Sequence, residues 1–308
     1  MCFLPLVLIF LAALGGVFFP EGLARYWFVP FLTSAIFLGL PHGAADWGVL
    51  KPAIYKRGWR KACPVLLSYG CLLVAAGVIT LTFLAIGLLL FLGVSAWHFG
   101  CADARDFATK FDHSVDDRRS LSVHSLLRGG LIVVSPFAFR IEDMFAACQR
   151  WCELLGSSWL SLETLPFLGT VARFLLFYIL FAIVGLVLMQ AARGLWRSAI
   201  CLALETALLL ALFGLLHPLF ALGTYFLCWH SVRHLSHLRE IEEASFGIGW
   251  LYRLSGPFLI PSLAVIAFFS FLTDNLYSPG NLTIILIIFF AVVTPAHQWL
   301  VDKELHSH

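Results

Sequence analysis

Residues 217–237 read HPLFALGTYFLCWHSVRHLSH. The stretch is strongly apolar and close to the roughly 20 residues that a helix needs to cross a bilayer. It nevertheless holds four of the eleven histidines, at positions 217, 230, 234 and 237. Ionisable side chains inside a span are costly and usually mark a site. His230 and His234 are four apart, so on a helix they project from one face, one turn above the other. A helix offers two ligands to one metal in this way.

Working outward, the 308-residue chain is 60% hydrophobic and 12% charged, with a mean hydropathy of +0.91. That leaves too little polar surface to cover a soluble globule. The fold expected is all-α: a polytopic integral membrane bundle of about ten helices, forming a single domain over residues 1–308. A net charge of +2, with no Gly-rich phosphate loop and no basic–aromatic array, excludes a nucleic-acid partner. The eight cysteines include no C-x-x-C pair. Cys71, Cys201 and Cys228 lie in apolar runs and read as buried small hydrophobes.

The expected spans cover residues 3–19, 27–47, 63–84, 85–100, 121–139, 165–192, 198–216, 219–238, 256–273 and 281–301. The first lacks a basic segment before it, as a span would, with a removed signal as the alternative. The third and fourth read as a hairpin within the bilayer. Residues 101–120 carry nine charges of mixed sign and read as a solvated loop. Residues 141–165 fit a short helix lying in the interface. Arg and Lys concentrate in the loops around 51–61, 101–120, 193–197 and 239–253 and in the C-terminal tail, which predicts that these face the cytoplasm.

On that topology His42, His98, His230, His234 and His297 all fall toward the cytoplasmic side of even-numbered spans. His113, His124, His306 and His308 read as interfacial polar residues. His217, at the outer end of its span, reads as a structural hydrogen-bonding group. Carboxylates accompany the histidines: Asp46 follows His42 by four, and Asp103 follows His98 by five. A metal-bound imidazole usually donates its other N–H to such a group, and Asp46 suits that role by helical spacing. Glu205 sits in the apolar run LALETALLL, where it is either structural or a partner to a ligand.

Neutral imidazoles suit iron, copper, zinc or nickel and leave a cation with open positions. Buried in a bilayer among 29 phenylalanines, such a site points to a metal-dependent, oxidative enzyme acting on a molecule that arrives from lipid. Tyr225, Phe226 and Trp229 are candidate walls for that molecule.

The blocks GLPHGAADW (39–47), SAWHFGCAD (95–103), HPLFALGTYFLCWHSVRH (217–234) and TPAHQWLVD (294–302) together resemble the Brp/Blh family, the bacteriorhodopsin-related membrane β-carotene 15,15'-dioxygenases. The resemblance implies cleavage of the central double bond of β-carotene by O2 to two molecules of retinal, with Fe(II) bound by His42, His98, His230 and His234. It also implies a plasma-membrane location and a supply of retinal to a rhodopsin. Asp46, Glu205, His297 and His237 remain as residues around the ligands, His237 being able to replace one of them. Two alternatives stay open: a membrane di-iron desaturase or hydroxylase with histidine boxes, and a non-catalytic carotenoid- or retinal-binding protein. The chain has one H-x-x-x-H-x-x-H cluster and no H-x-x-H-H box.

Overall fold

A computed structural model describes residues 4–44, 46, 59–111, 118–157, 160–233, 248–272 and 278–305. All regular structure among them is helical. An α-helix satisfies every backbone N–H and C=O within its own segment, which hydrocarbon surroundings demand. The helices are α1 (Leu4–Phe18), α2 (Pro20–Arg25), α3 (Val29–Ser34), α4 (Leu40–Ala44), α5 (Trp59–Thr82), α6 (Leu84–Lys110) and α7 (Arg118–Phe139). They continue with α8 (Ile141–Leu154), α9 (Leu165–Ala192), α10 (Trp196–Leu215), α11 (Pro218–Tyr225), α12 (Ile248–Leu272) and α13 (Pro279–Leu305). Two π-helical turns interrupt the series, at Ala35–Gly39 and Phe226–His230.

Among the described residues, seven helices are long and apolar enough to cross a membrane. The expected first and second spans are described over Leu4–Phe18 and Val29–Ala44, each bordering residues outside the description. The second is broken by its π turn. The expected eighth span is likewise interrupted at Phe226–His230, and its end at residues 234–238 lies outside the described residues.

The solvated loop expected at 101–120 needs correction. α6 continues to Lys110 and α7 begins at Arg118, with Cys101, Asp103, Ala104 and Phe107 buried. Asp103 in this stretch is buried and paired with Arg128, so its low hydropathy does not mean solvent there; residues 112–117 lie outside the described residues. The expected ninth span agrees with the apolar stretch Ser255–Leu272, within a helix that begins at Ile248 and carries Arg253 ahead of that stretch. α5 and α6 meet at Phe83, whose N–H still bonds Ile79 O at 2.9 Å. The segment 141–165 does contain a short helix, α8, with Met144, Phe145, Cys148, Trp151 and Cys152 on its buried face.

Cys71 is exposed, contrary to the reading of it as buried. It shares an outward stripe of α5 with Leu67, Val74, Val78 and Leu81, the 3–4 spacing of one helix face. Outward apolar side chains also line α9, including Phe174, Phe177, Phe181 and Leu188, as a lipid-facing helix requires. The described cysteines form no disulfide.

The chain divides into two compact units. The first comprises Met1–Phe31, Ser95–Gln149 and Ser158–His234. Its apolar core joins Ile9, Leu131, Ile132, Leu209, Phe213 and Trp229 from α1, α7, α10 and the Phe226–His230 turn. The second comprises Leu32–Val94, Arg150–Ser157 and Leu235–His308, with α13 packed on α5 and α12 on α4. α6 starts in the second unit and ends in the first.

Candidate metal centre

In the first unit His98 of α6 and His230 at the end of the π turn stand side by side. Their ring centroids are 5.0 Å apart with planes at 60°, and both are buried. Phe99 and Phe226 pack edge-on against His230 at 5.2 and 5.5 Å. The π turn closes with the Ser231 N–H on Phe226 O. It places one extra residue in the turn, so positions beyond it are rotated relative to an ideal α-helix. His234 and His237 lie outside the described residues.

His98 is held in place by two helices in backbone contact. A Cβ on Gly100 would overlap the Ser125 carbonyl, and a Cβ on Gly129 would overlap that of Ala96. Ala96-x-x-x-Gly100 on α6 thus faces Ser125-x-x-x-Gly129 on α7, the small-residue spacing that lets membrane helices approach closely. His98 sits between the two small residues of its own helix.

A buried charge cluster adjoins this pair in sequence and in space. Arg128 Nη2 donates to Asp103 Oδ2 at 3.1 Å and to Glu205 Oε2 at 2.9 Å. Arg233 Nη2 donates to Glu205 Oε1 at 2.7 Å, while its Nε lies 3.0 Å from Asp106 Oδ2. Lys110 Nζ reaches Asp106 at 2.5 Å. Three cations (Arg128, Arg233, Lys110) therefore meet three anions (Asp103, Asp106, Glu205). Asp103 Oδ1 also accepts from Trp229 Nε1 at 3.1 Å and the Tyr225 hydroxyl at 3.3 Å, and the Arg233 guanidinium lies 4.1 Å from the Trp229 ring centroid. These bonds tie the turn that carries His230 to the helix that carries His98. Glu205 is thereby an ion-pair partner of two arginines. Tyr225 and Trp229, expected as walls, are fully buried anchors of this cluster, and Phe226 is the one of the three that packs on the His230 ring.

In the second unit His42 of α4 and His297 of α13 form another pair. Their centroids lie 4.8 Å apart at 78°. His297 Nδ1 is 2.7 Å from Asp46 Oδ1, and the Tyr69 hydroxyl donates to Asp46 Oδ2 at 2.9 Å. Asp46 thus stands beside an imidazole, as its spacing suggested, but the imidazole is that of His297. A contact between residues 251 positions apart leaves no local spacing signal.

Two imidazoles bound to one first-row dication through nitrogens at about 2.1 Å, roughly 90–110° apart, hold their centroids about 4.5–5.3 Å apart. Each pair falls within that range. Imidazole nitrogens suit iron, copper or zinc and not magnesium or calcium.

Other histidines have different roles. His217 accepts at Nδ1 from the Leu219 N–H at 3.3 Å, capping α11 in the structural role expected of it. Burial holds its pKa below the usual histidine value, Asp143 opposes this, and Arg140 adds to it. His124, read as interfacial, is buried against Phe107 at 4.9 Å, because the inward face of α7 carries it. Arg128 and Arg233 were not singled out as site residues in the sequence. The signal available was that both are full charges in apolar runs.

A probable beta-carotene 15,15'-dioxygenase Blh from Halobacterium salinarum is 29% identical over 236 residues, covering 71% of this chain. The alignment spans 63% of the relative's length. No solved structure matches the chain at a significant level. The family model described as beta-carotene 15,15'-dioxygenase matches residues 33–303, which include all four histidine blocks, and the chain belongs to that family.

Proposed function

We propose that the protein cleaves the central 15,15' double bond of β-carotene with O2, forming two molecules of all-trans-retinal. One C=C bond breaks, two C=O bonds form, and each product keeps one oxygen atom. Fe(II) is the metal of this reading, with His42, His98, His230 and His234 as ligands. The observation that carries it is the buried pair of imidazoles His98 and His230, at a separation that one metal ion allows, in a chain of this family. His234 enters through the WH-x-x-x-H block alone.

Iron, when bound, supplies the activation of dioxygen beside the polyene. The protein's own residues do the rest. The imidazoles bind the metal without adding negative charge, which keeps it electrophilic. Phe99 and Phe226 exclude water from the His230 ring, and the Asp103–Trp229 and Asp103–Tyr225 bonds hold the turn that aims it. No side chain has to act as a nucleophile. The metal lies toward the cytoplasmic side of the cell membrane in this reading, the substrate enters from the bilayer, and the retinal formed can supply a rhodopsin.

Expression in cells that accumulate β-carotene tests the reading. The wild type should bleach them and yield retinal, His230→Ala should abolish both and lower bound iron, and His306→Ala should change neither. Colour retained by the wild type would favour a carotenoid-binding protein. Close to two irons per chain would favour the di-iron enzymes.

A further inference from the structure

We propose that His297 is itself a metal ligand, coordinating through Nε2 beside His42, with Asp46 and Tyr69 holding its ring in position. The inference rests on the iron site proposed above and extends its ligand set.

The His297 ring has a nitrogen on each edge. Nδ1 is engaged by Asp46 Oδ1 at 2.7 Å, and a carboxylate oxygen accepts, so the hydrogen of the ring sits on Nδ1. That assigns the lone pair to Nε2, the tautomer a metal requires. The Asp46 carboxylate is fixed in turn by the Tyr69 hydroxyl at 2.9 Å. A chain of hydroxyl, carboxylate and imidazole is how proteins orient a ligating histidine and raise its basicity. His297 lies 251 positions from Asp46, Asp46 follows the His42 helix by two residues, and all are buried or half-buried in the same unit.

A purely structural role explains less. Ring packing alone places aromatic centroids about 4.5–7 Å apart, so the 4.8 Å separation from His42 does not decide the matter. Asp46 decides it. A buried polar pair in a membrane helix needs only mutual satisfaction, and neither its stability nor that of α13 requires a second imidazole beside it. The bundle instead bears the cost of placing two adjacent imidazoles and a carboxylate in an apolar interior. A shared cation offsets that cost.

The test separates orientation from ligation. In His297→Asn the side-chain amide takes the place of Nδ1–H and keeps the bond to Asp46, but nothing replaces Nε2. Apoprotein is prepared in detergent for the wild type, His297→Asn and Asp46→Asn, then titrated with Fe(II) and separately with Co(II), whose visible d–d bands report ligand number. The expected result is at least a tenfold weaker affinity in His297→Asn, with altered Co(II) bands and an unchanged unfolding temperature of the apoprotein. Asp46→Asn should weaken binding by about 10–100-fold, the usual loss for an orienting partner. Wild-type affinity and an unchanged Co(II) spectrum in His297→Asn would overturn this proposal while leaving the iron reading in place. A wild-type protein that binds neither metal would overturn both.

Discussion

At the residue scale, His217 couples the first turn of α11 to pH. Its Nδ1 accepts from the Leu219 N–H, so the ring has to stay unprotonated there. Burial sets its folded-state pKa below the ordinary value, Arg140 pushes the same way, and Asp143, 4.0 Å away, pulls against them. Between that lowered value and about 6.5 the unfolded chain binds a proton that the folded chain does not. The stability contributed by His217 is therefore complete above about pH 6.5 and is lost as pH falls through the lowered value. His217→Asn keeps a capping acceptor and removes the titration. Its unfolding temperature should drop less than that of the wild type between about pH 7.5 and pH 5.5, as differential scanning fluorimetry in detergent can measure. Equal drops would rule out the coupling. The cap was legible in the sequence, since a polar residue before Pro218 at the start of a helix is a local signal. His297 was legible only as a polar residue near a span end, because its partner Asp46 lies 251 positions away.

At the scale of elements, the crossing of α6 and α7 fixes His98. Gly129 and Gly130 are neighbours with opposite roles. A Cβ at Gly129 would overlap the Ala96 backbone, whereas at Gly130 it would meet only the flexible tip of Ile179, at 3.0 Å. Overpacking typically costs about 1–3 kcal/mol, and backbone cannot yield as a side-chain tip can. Ala in place of Gly also raises helix propensity by roughly 1 kcal/mol. Gly129→Ala should then lower the unfolding temperature and retinal formation together, while Gly130→Ala should be near neutral in both. Similar behaviour of the two variants would show that the helices do not depend on this contact. The Gly-Gly pair was visible in the sequence, but only as a weakness in a span. Likewise the charges at 101–110 signalled a loop, because hydropathy does not record that Arg128 and Arg233 lie opposite them. Where the signal was apolar length, as at Leu165–Ala192, the element matched to the residue.

At the scale of the whole molecule, the all-α membrane class followed from composition, and the family from four histidine blocks spread over the chain. The number of spans was less legible. The π turns at Ala35–Gly39 and Phe226–His230 interrupt two of the expected spans, and a sliding hydropathy window does not register such breaks. The buried charges bear on how the chain is made. Asp103 and Arg128 are 25 positions apart, and Glu205 and Arg233 are 28 apart. Each acid thus leaves the ribosome shortly before its base. A single charge at the centre of a helix costs about 2.5–3.5 kcal/mol to insert, and a pair that neutralises itself within two successive helices avoids much of that. Biogenesis can then proceed as two electrically balanced deliveries, Asp103 with Arg128 first and Glu205 with Arg233 second. Chains truncated after α8 and carrying Asp103→Asn should insert α7 less efficiently than truncated wild type, as measured by glycosylation of engineered acceptor sites. Equal insertion would mean that Arg128 waits for Glu205, and that the membrane holds an unbalanced intermediate until α10 has been synthesised.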